Sequence, residues 1–129
     1  MTNPNVGIYE PGRDLTGRAS TAVLGKRFLK ITGNRTSVGG NIAVAHADAG
    51  GRVCGVSKYD AAVNAVIGVQ RGSSRVTFVA TPPAGTALAA FAEVEVGANG
   101  TAVARGTGIA VGYCVTGTAV GVDAEVSLY

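Results

Sequence analysis

The chain has 129 residues and a formal net charge of +3, and 47% of its residues are hydrophobic although only 5% are aromatic. A chain of this length folds as one domain, and a core with so few aromatic residues consists of Val, Ala, Ile and Leu. Twenty glycines and almost no helical periodicity indicate many turns between short strands. The composition therefore predicts an all-β protein, a small antiparallel β-barrel or sandwich, and argues against a deep aromatic pocket.

The N-terminal segment, residues 1–22, is rich in Pro, Gly and polar residues and has no sustained periodicity. Such a segment cannot bury enough apolar surface to order itself. It nevertheless contains Val6, Ile8, Tyr9 and Leu15, which is unusual for a solvated tail. Two interpretations stay open: a disordered N-terminus, or an extended arm that becomes ordered on a neighbouring subunit or partner. We assign residues 1–22 to an extended N-terminal arm and residues 23–129 to a single β domain.

Two sets of short strands follow, each with the order strand, glycine turn, strand, glycine turn, strand, loop, strand. The first set is predicted at residues 27–31, 41–46, 52–57 and 65–71, and the second at 92–96, 101–104, 109–115 and 123–128. Placing Gly55 over Gly112 without gaps also brings Val69 over Val126. The shared order predicts two quasi-repeated β units, at about 26–71 and 91–129, joined by a linker at about 72–90.

The second unit has the clearest strand pattern, because apolar and acidic residues alternate along its first and last strands. This alternation places successive side chains on opposite faces of a sheet. The residues expected to face the core are Val94, Val96, Ala124, Val126 and Leu128, and those expected to face water are Glu93, Glu95, Asp123 and Glu125. Asn99-Gly100 tolerates positive φ and predicts a tight hairpin.

The linker region carries two local predictions. Ser73-Ser74 separates two apolar runs, so residues 70–71 and 75–80 are expected to form a hairpin, and residues 87–91 are expected to form one helical turn.

Catalytic patterns are nearly absent from the sequence. His46 is the sole histidine, and its position at the end of a predicted strand favours a structural role over that of a general base. A zinc site would need His46, Cys54, Cys114 and a carboxylate without any paired ligand spacing. Glu93 and Glu95 share a strand face, and a solvated face explains them better than a catalytic acid pair. We expect a protein that is not an enzyme, without cofactor or metal.

Targeting and membrane segments are not expected either. The first residues are polar and uncharged, and the two longest uncharged stretches, residues 76–92 and 106–122, contain Pro-Pro or repeated Gly. We therefore expect synthesis in the cytoplasm and no membrane partner. In that compartment, Cys54 and Cys114 are expected to be buried thiols rather than a disulfide.

Basic residues are concentrated near the N-terminus. Residues 1–35 hold six basic and two acidic residues, whereas the rest of the chain has a formal charge of −1. Such a segment is either a solvated surface or a surface for an acidic partner. No aromatic residues are interleaved with the basic ones and no nucleic-acid-binding motif accompanies them, so direct contact with nucleic acid is not expected.

Four stretches of the sequence together resemble one protein family. They read RFLKI at 27–31, GVSKYDAA at 55–62, AFAEVEVGANG at 90–100 and DAEVSLY at 123–129. Over residues 22–129 the chain resembles the small head decoration (capsid cement) proteins of actinobacterial tailed phages and prophages. The resemblance implies a virion protein that binds the outer surface of an HK97-type icosahedral capsid, often as a homotrimer at local threefold positions. There it would stabilise contacts between subunits of the major capsid protein.

The resemblance leads to a hypothesis about contact residues in the arm. We expect contacts with the capsid or a neighbouring protomer from Ile8, Tyr9, Arg13, Leu15 and Arg18, and expect deletion of residues 1–18 to weaken capsid binding without unfolding the domain. In a trimer, the basic N-terminal third and the acidic C-terminal face would meet across heterologous contacts.

The alternative function is a non-enzymatic β-fold module that binds a glycan or nucleic acid. Clustered aromatic residues would be expected for such a module, whereas the four tyrosines and three phenylalanines are scattered along the sequence.

Overall fold

The structure is a computed structural model that describes residues 2–3, 14–35 and 39–129. Within these ranges it contains ten short strands and one turn of 3₁₀ helix. In chain order these are β1 (Leu15–Ala19), β2 (Phe28–Gly33), β3 (Ile42–His46), β4 (Gly55–Ser57), β5 (Val66–Gln70), β6 (Val76–Val79), β7 (Glu93–Val96), the 3₁₀ turn (Ala98–Gly100), β8 (Ala102–Ala104), β9 (Gly112–Cys114) and β10 (Ala124–Leu128). The all-β prediction is confirmed.

The strands form a closed barrel and a second sheet that share one topology. The barrel has the order β1-β3-β2-β4-β5, and the second sheet has the order β6-β10-β9-β7-β8. Each neighbouring pair in the sheet has a counterpart in the barrel, with β6 to β10 in the places of β1 to β5. The two halves differ only in the contact between their first and third strands, which closes the barrel. In the barrel β1 and β3 pair in parallel, whereas in the sheet the Ala102 amide donates one hydrogen bond to the Ala80 carbonyl, at 2.9 Å.

In the last two strands of each half, equivalent residues follow the gapless placement of Gly55 over Gly112. Each of these glycines begins the fourth strand of its half. Ala61 falls on Thr118 in the same placement, and each of these two residues forms an isolated bridge, with Val23 and Leu88 respectively. The repeat predicted from the sequence is therefore also a repeat of the three-dimensional structure.

The duplicated unit is larger than the sequence pattern indicated. Strand β1 lies within the range assigned to the arm, yet it pairs with both β3 and β5 and belongs to the barrel. Its inward residues Leu15, Gly17 and Ala19 are mostly small, which leaves a weak hydrophobic pattern. Strand β6 lies within the range assigned to the linker and is the first strand of the second half.

Two local predictions for the linker region are wrong. Strand β6 pairs with β10 rather than with β5, so residues 70–71 and 75–80 do not form a hairpin. Residues 87–91 contain no helical turn, because the backbone of Leu88 exchanges two hydrogen bonds with Thr118. In both cases a pairing partner distant in sequence prevails over a local preference.

Two apolar cores hold the halves together. One fills the barrel: Leu15, Ala19, Val23, Leu29, Val44, Ala61, Ile67 and Val69. The other lies under the second sheet and includes the five residues predicted to face a core, whose exposed fractions are all 5% or less. Phe28, Ala47 and Val56 come from the first half but belong to this second core. The outside of the barrel is thus one wall of the core under the second sheet.

The predicted hairpin at Asn99-Gly100 is confirmed and also joins the halves. Asn99 and Gly100 have φ values of 56° and 71°, and they connect the paired strands β7 and β8. A Cβ atom at Gly100 would lie 2.6 Å from the carbonyl oxygen of Phe28, so the hairpin touches the barrel backbone. Glycine is required here by both the positive φ and the close approach.

The glycine at the start of β9 provides a test of this packing. A Cβ atom at Gly112 would collide with the carbonyl oxygen of Ser127 and would lie 2.8 Å from a γ-carbon of Val126. Because this backbone does not have positive φ, Gly112→Ala acts through overpacking alone, and we expect it to lower the free energy of unfolding by about 1–3 kcal/mol. Urea denaturation measures the change. Gly106→Ala is the matched control, since its Cβ would have no neighbour nearer than 3.7 Å; equal stabilities of the two variants would contradict the packing.

Candidate interaction surfaces

The structure describes two of the five predicted contact residues. Ile8, Tyr9 and Arg13 lie outside the described residues. Leu15 points into the barrel core and is only 8% exposed, so in this structure its side chain is not on the surface. Arg18 lies on the outside of β1, opposite Val66 of β5, and its Nη1 donates a hydrogen bond to the carbonyl oxygen of Asn64 at 2.6 Å.

The start of β1 is fixed by two ion pairs. The carboxylate of Asp14 lies 2.7 Å from Nζ of Lys58 and 2.8 Å from Nη1 of Arg75. The hydrogen bond from Lys58 and the positive charge of Arg75 lower the pKa of Asp14 below its ordinary value, against the effect of partial burial. Lys58 follows β4 and Arg75 precedes β6, so Asp14 connects the N-terminal end of the described domain to both halves.

The outer face of the second sheet is unusually apolar. A sheet with one face on a core normally presents polar residues on the other face. Here the outer face carries five large apolar or aromatic side chains, which we call the sheet face: Val76, Phe78, Phe91, Tyr113 and Val115. Four of them are between 43% and 78% exposed, and Tyr113 is half-buried. Clustered exposed apolar residues indicate an interaction site.

The register of the strands places these residues side by side. Phe78 of β6 is opposite Glu125 of β10, and the carbonyl oxygen of Glu125 accepts a hydrogen bond from the amide of Val115 at 3.0 Å. Tyr113 of β9 is opposite Glu93 of β7. The sheet face is therefore a continuous surface across four strands that contains two carboxylates.

Three aromatic rings form one end of this surface. Phe91 and Tyr113 meet edge to face with their centroids 5.1 Å apart, and Tyr113 and Tyr129 are 6.0 Å apart. The hydroxyl of Tyr129 donates a hydrogen bond to Oε2 of Glu93 at 2.6 Å, which is the main reason that the pKa of Tyr129 is raised. Nη1 of Arg105 lies 3.4 Å from Oε1 of the same carboxylate. Glu93 thus has partners on both oxygens.

Phe91 combines high exposure with an unfavourable backbone. Its φ is +66°, in the left-handed region that costs a side chain with a Cβ about 1–2 kcal/mol. Its side chain is 78% exposed, so burial in this chain does little to offset that cost. Strained residues of this kind cluster at functional sites.

His46 has the structural position favoured by the sequence analysis. Its Nε2 accepts a hydrogen bond from the backbone amide of Leu24 at 3.0 Å. Partial burial lowers the pKa of His46, and the nearby positive charge of Arg27 lowers it further. The neutral imidazole is the form that can accept this hydrogen bond.

The two cysteines are free thiols; Cys114 is buried, whereas Cys54, which was also expected to be buried, is only partly buried. Burial raises the pKa of Cys54 to about 11 and also raises that of Cys114. Cys54 precedes β4 whereas Cys114 lies inside β9, so the two do not occupy equivalent positions. In residues 2–3, 14–35 and 39–129, no three His, Cys, Asp or Glu side chains are grouped so as to hold a metal ion. No helix in these ranges has the length and apolar character needed to span a bilayer.

The fold defines the class of this protein as a duplicated five-strand β unit, with one unit closed into a barrel. No protein-family model and no curated protein sequence matches the chain. Among solved structures, the chain is similar to the crystal structure of the head fiber gp8.5 N base of bacteriophage phi29. The TM-score is 0.70 and the sequence identity 20%, and the similarity covers 90% of this chain and 92% of the phi29 chain. At this identity the similarity shows a shared fold.

The sheet face is the surface that sequence reasoning missed. Val76 and Phe78 lie in an apolar run that was assigned to a local hairpin, and Phe91 in a predicted helical turn. A signal was available in β6, where apolar residues occupy both the inward and the outward positions. Apolar residues on both faces of a strand are all buried only when a second surface covers the outer face. The pattern in β6 therefore indicates an interaction surface.

The His46 contact predicts a pH dependence of stability. Because folding lowers the pKa of His46, its contribution is complete above the ordinary value of 6.5 and is lost as the pH falls through the lower folded value. We expect the free energy of unfolding to decrease between pH 7.5 and pH 5, and this decrease to disappear in His46→Gln, whose amide oxygen can accept the same hydrogen bond. The lowered pKa of Asp14 acts only below its ordinary value of 3.8. Urea denaturation at pH 7.5 and at pH 5 measures both free energies of unfolding. If that of His46→Gln falls between the two pH values as much as that of the wild type, the assignment to His46 is refuted.

Phe91 provides a variant that changes the sheet face without harming the fold. Asn tolerates the left-handed backbone, so Phe91→Asn relieves about 1–2 kcal/mol of strain while it loses an aromatic contact of about 0.5–1.5 kcal/mol. We expect a free energy of unfolding within about 1 kcal/mol of the wild type. Phe91→Ala is the control, because it loses the ring and keeps the strain, and it should be less stable than Phe91→Asn. The reverse order in thermal unfolding would show that the backbone at residue 91 is not strained.

Proposed function

We propose that this protein is a structural component of a phage head. In the specific form of the proposal, it is a decoration protein that binds the exterior of an HK97-type icosahedral capsid and stabilises contacts between major capsid protein subunits. The observation that supports the proposal most is the similarity to the phi29 head fiber base over nine tenths of both chains. The proposed location is the outer surface of the virion, after synthesis in the host cytoplasm.

The physical basis of such stabilisation is selective binding to the assembled shell. A protein that binds the assembled state and not the dissociated subunits shifts the equilibrium towards assembly by mass action. Each contact needs only modest strength because a lattice offers many equivalent sites, and a homotrimer would engage several of them at once. We include the homotrimer in the proposal, with the major capsid protein as partner.

The proposed contacts with the capsid or a neighbouring protomer are Ile8, Tyr9, Arg13 and Arg18. Arg18 lies on the outside of β1 and is half-buried, so part of its side chain can reach a partner. Leu15 supports the role indirectly, because its burial in the barrel and the ion pairs of Asp14 fix the point at which the domain begins.

Because β1 spans Leu15–Ala19, a truncation that tests the arm must end before this strand. Deletion of residues 1–18 would remove most of β1 and open the barrel, so loss of binding would not be informative. Deletion of residues 1–13 ends just before Asp14 and leaves β1 complete. We expect this variant to keep the thermal unfolding transition of the full chain and to lose most of its capsid binding, whereas deletion of residues 1–3 should change neither.

Co-sedimentation with mature, undecorated capsids of the source phage measures that binding. The full chain should saturate at a whole-number ratio to the major capsid protein. If residues 1–13 can be removed without reducing the saturation ratio or the affinity, the arm is not the contact. If the full chain does not pellet with well-formed shells, the decoration role is wrong, and glycan and oligonucleotide arrays would then test the alternative binding module.

A further inference from the structure

We propose that the sheet face of one copy of this chain docks on the outside of the barrel of a second copy, in a head-to-tail contact. The receiving surface, which we call the barrel face, is formed by Thr16, Arg18, Val63 and Val66. This inference rests on the proposed homotrimer, for which it supplies the contact surfaces.

The barrel face combines a basic group with exposed apolar side chains. Arg18 of β1 and Val66 of β5 are direct cross-strand neighbours, and Val66 is 46% exposed. Val63 is 54% exposed. Nη1 of Arg18 donates a hydrogen bond to the carbonyl oxygen of Asn64, the residue that follows Val63. Arginine is enriched in protein interfaces.

The sheet face has the opposite charge. Glu125 lies between Phe78 and Val115, and the described part of the chain provides no ion pair for it. The sequence as a whole has the same asymmetry. Residues 1–71 hold nine basic and four acidic residues, a charge of +5, whereas residues 72–129 hold two basic and four acidic residues, a charge of −2. The two faces are complementary in charge and both are rich in apolar surface.

Charge also disfavours a symmetric contact between two sheet faces. Such a contact would bring the Glu125 carboxylates of both copies into one interface, and like charges that lie close together destabilise it. Docking on the barrel face instead places Glu125 near a surface that contains Arg18. Contacts between unlike faces close into a ring when the rotation between copies allows it.

Phe91 gives independent support for a partner on the sheet face. A strained and exposed aromatic residue is retained at a cost to the isolated chain, and aromatic residues are enriched among those that dominate binding energy. Burial of Phe91 and Phe78 by a second copy would supply the stabilisation that the single chain lacks.

Complementation between two variants tests the head-to-tail geometry. Phe91→Asn combined with Phe78→Asp impairs the sheet face, and Val66→Glu impairs the barrel face by adding an acid beside Arg18. By sedimentation velocity, we expect the wild type to form a discrete oligomer and each variant alone to associate roughly tenfold or more weakly. An equimolar mixture of the two variants should form heterodimers, since each mixed pair retains one intact sheet face and one intact barrel face.

The control variant is Val122→Glu, which alters an equally exposed valine outside both faces and should leave association unchanged. Thermal unfolding of every variant checks that the fold is kept, and Phe91→Asn alone serves if the double change unfolds the chain. A monomeric wild type, variants that still associate, or a mixture that forms no heterodimers would overturn the inference.

The same variants in capsid co-sedimentation separate this inference from the proposed function. Sheet-face variants that stay oligomeric but no longer pellet would show that this face binds the capsid, which overturns the inference and keeps the decoration role. A wild type that oligomerises through these faces but does not bind shells would overturn only the decoration role.

Discussion

The contact between Phe28 and Val56 on the outside of the barrel is the one on which the rest of the structure depends. These residues are direct neighbours on β2 and β4, and both are fully buried because the second sheet covers them. Replacement of a buried Phe by Ala typically costs about 3–5 kcal/mol, which is a large part of the stability of a small domain. The outside of the barrel thus covers one side of the core under the second sheet, so this core is enclosed although the second sheet is open.

This dependence explains why two copies of one topology differ in closure. The barrel joins β1 to β3 through three residue pairs, and the same place in the second sheet has the single hydrogen bond between Ala102 and Ala80. The core under this open sheet also contains Phe28, Ala47 and Val56 of the first half. The close approach of Gly100 to the Phe28 backbone belongs to the same packing.

Strands with a strong hydrophobic alternation could be predicted from the sequence, and strands with a weak alternation could not. Strand β7 alternates Glu with Val and strand β10 alternates apolar with polar residues, so their core-facing residues were predicted correctly. The placement of Gly55 over Gly112 succeeded because each glycine faces a backbone carbonyl too close to admit a Cβ, a constraint that composition alone does not reveal. Strand β1 was missed because its inward residues are small, and β6 because its outward residues are apolar. Of the two candidate contacts that the structure describes, Arg18 lies half-buried on the outside of the barrel and Leu15 lies inside it. The sheet face was not predicted, because it depends on pairing between strands distant in sequence.

Because the β unit is duplicated, each chain offers two different outer faces to neighbouring copies. A single β unit presents one kind of outer face, whereas two fused units present two outer faces that can diverge without changing the cores. Here the divergence is in charge and in exposed apolar area: Arg18 lies on one face, and Glu125 with Phe78 and Phe91 on the other. Unlike faces favour a heterologous contact, and a heterologous contact that closes gives a ring of identical subunits. The divergence of the two outer faces therefore provides the unlike surfaces through which we propose that separate chains associate.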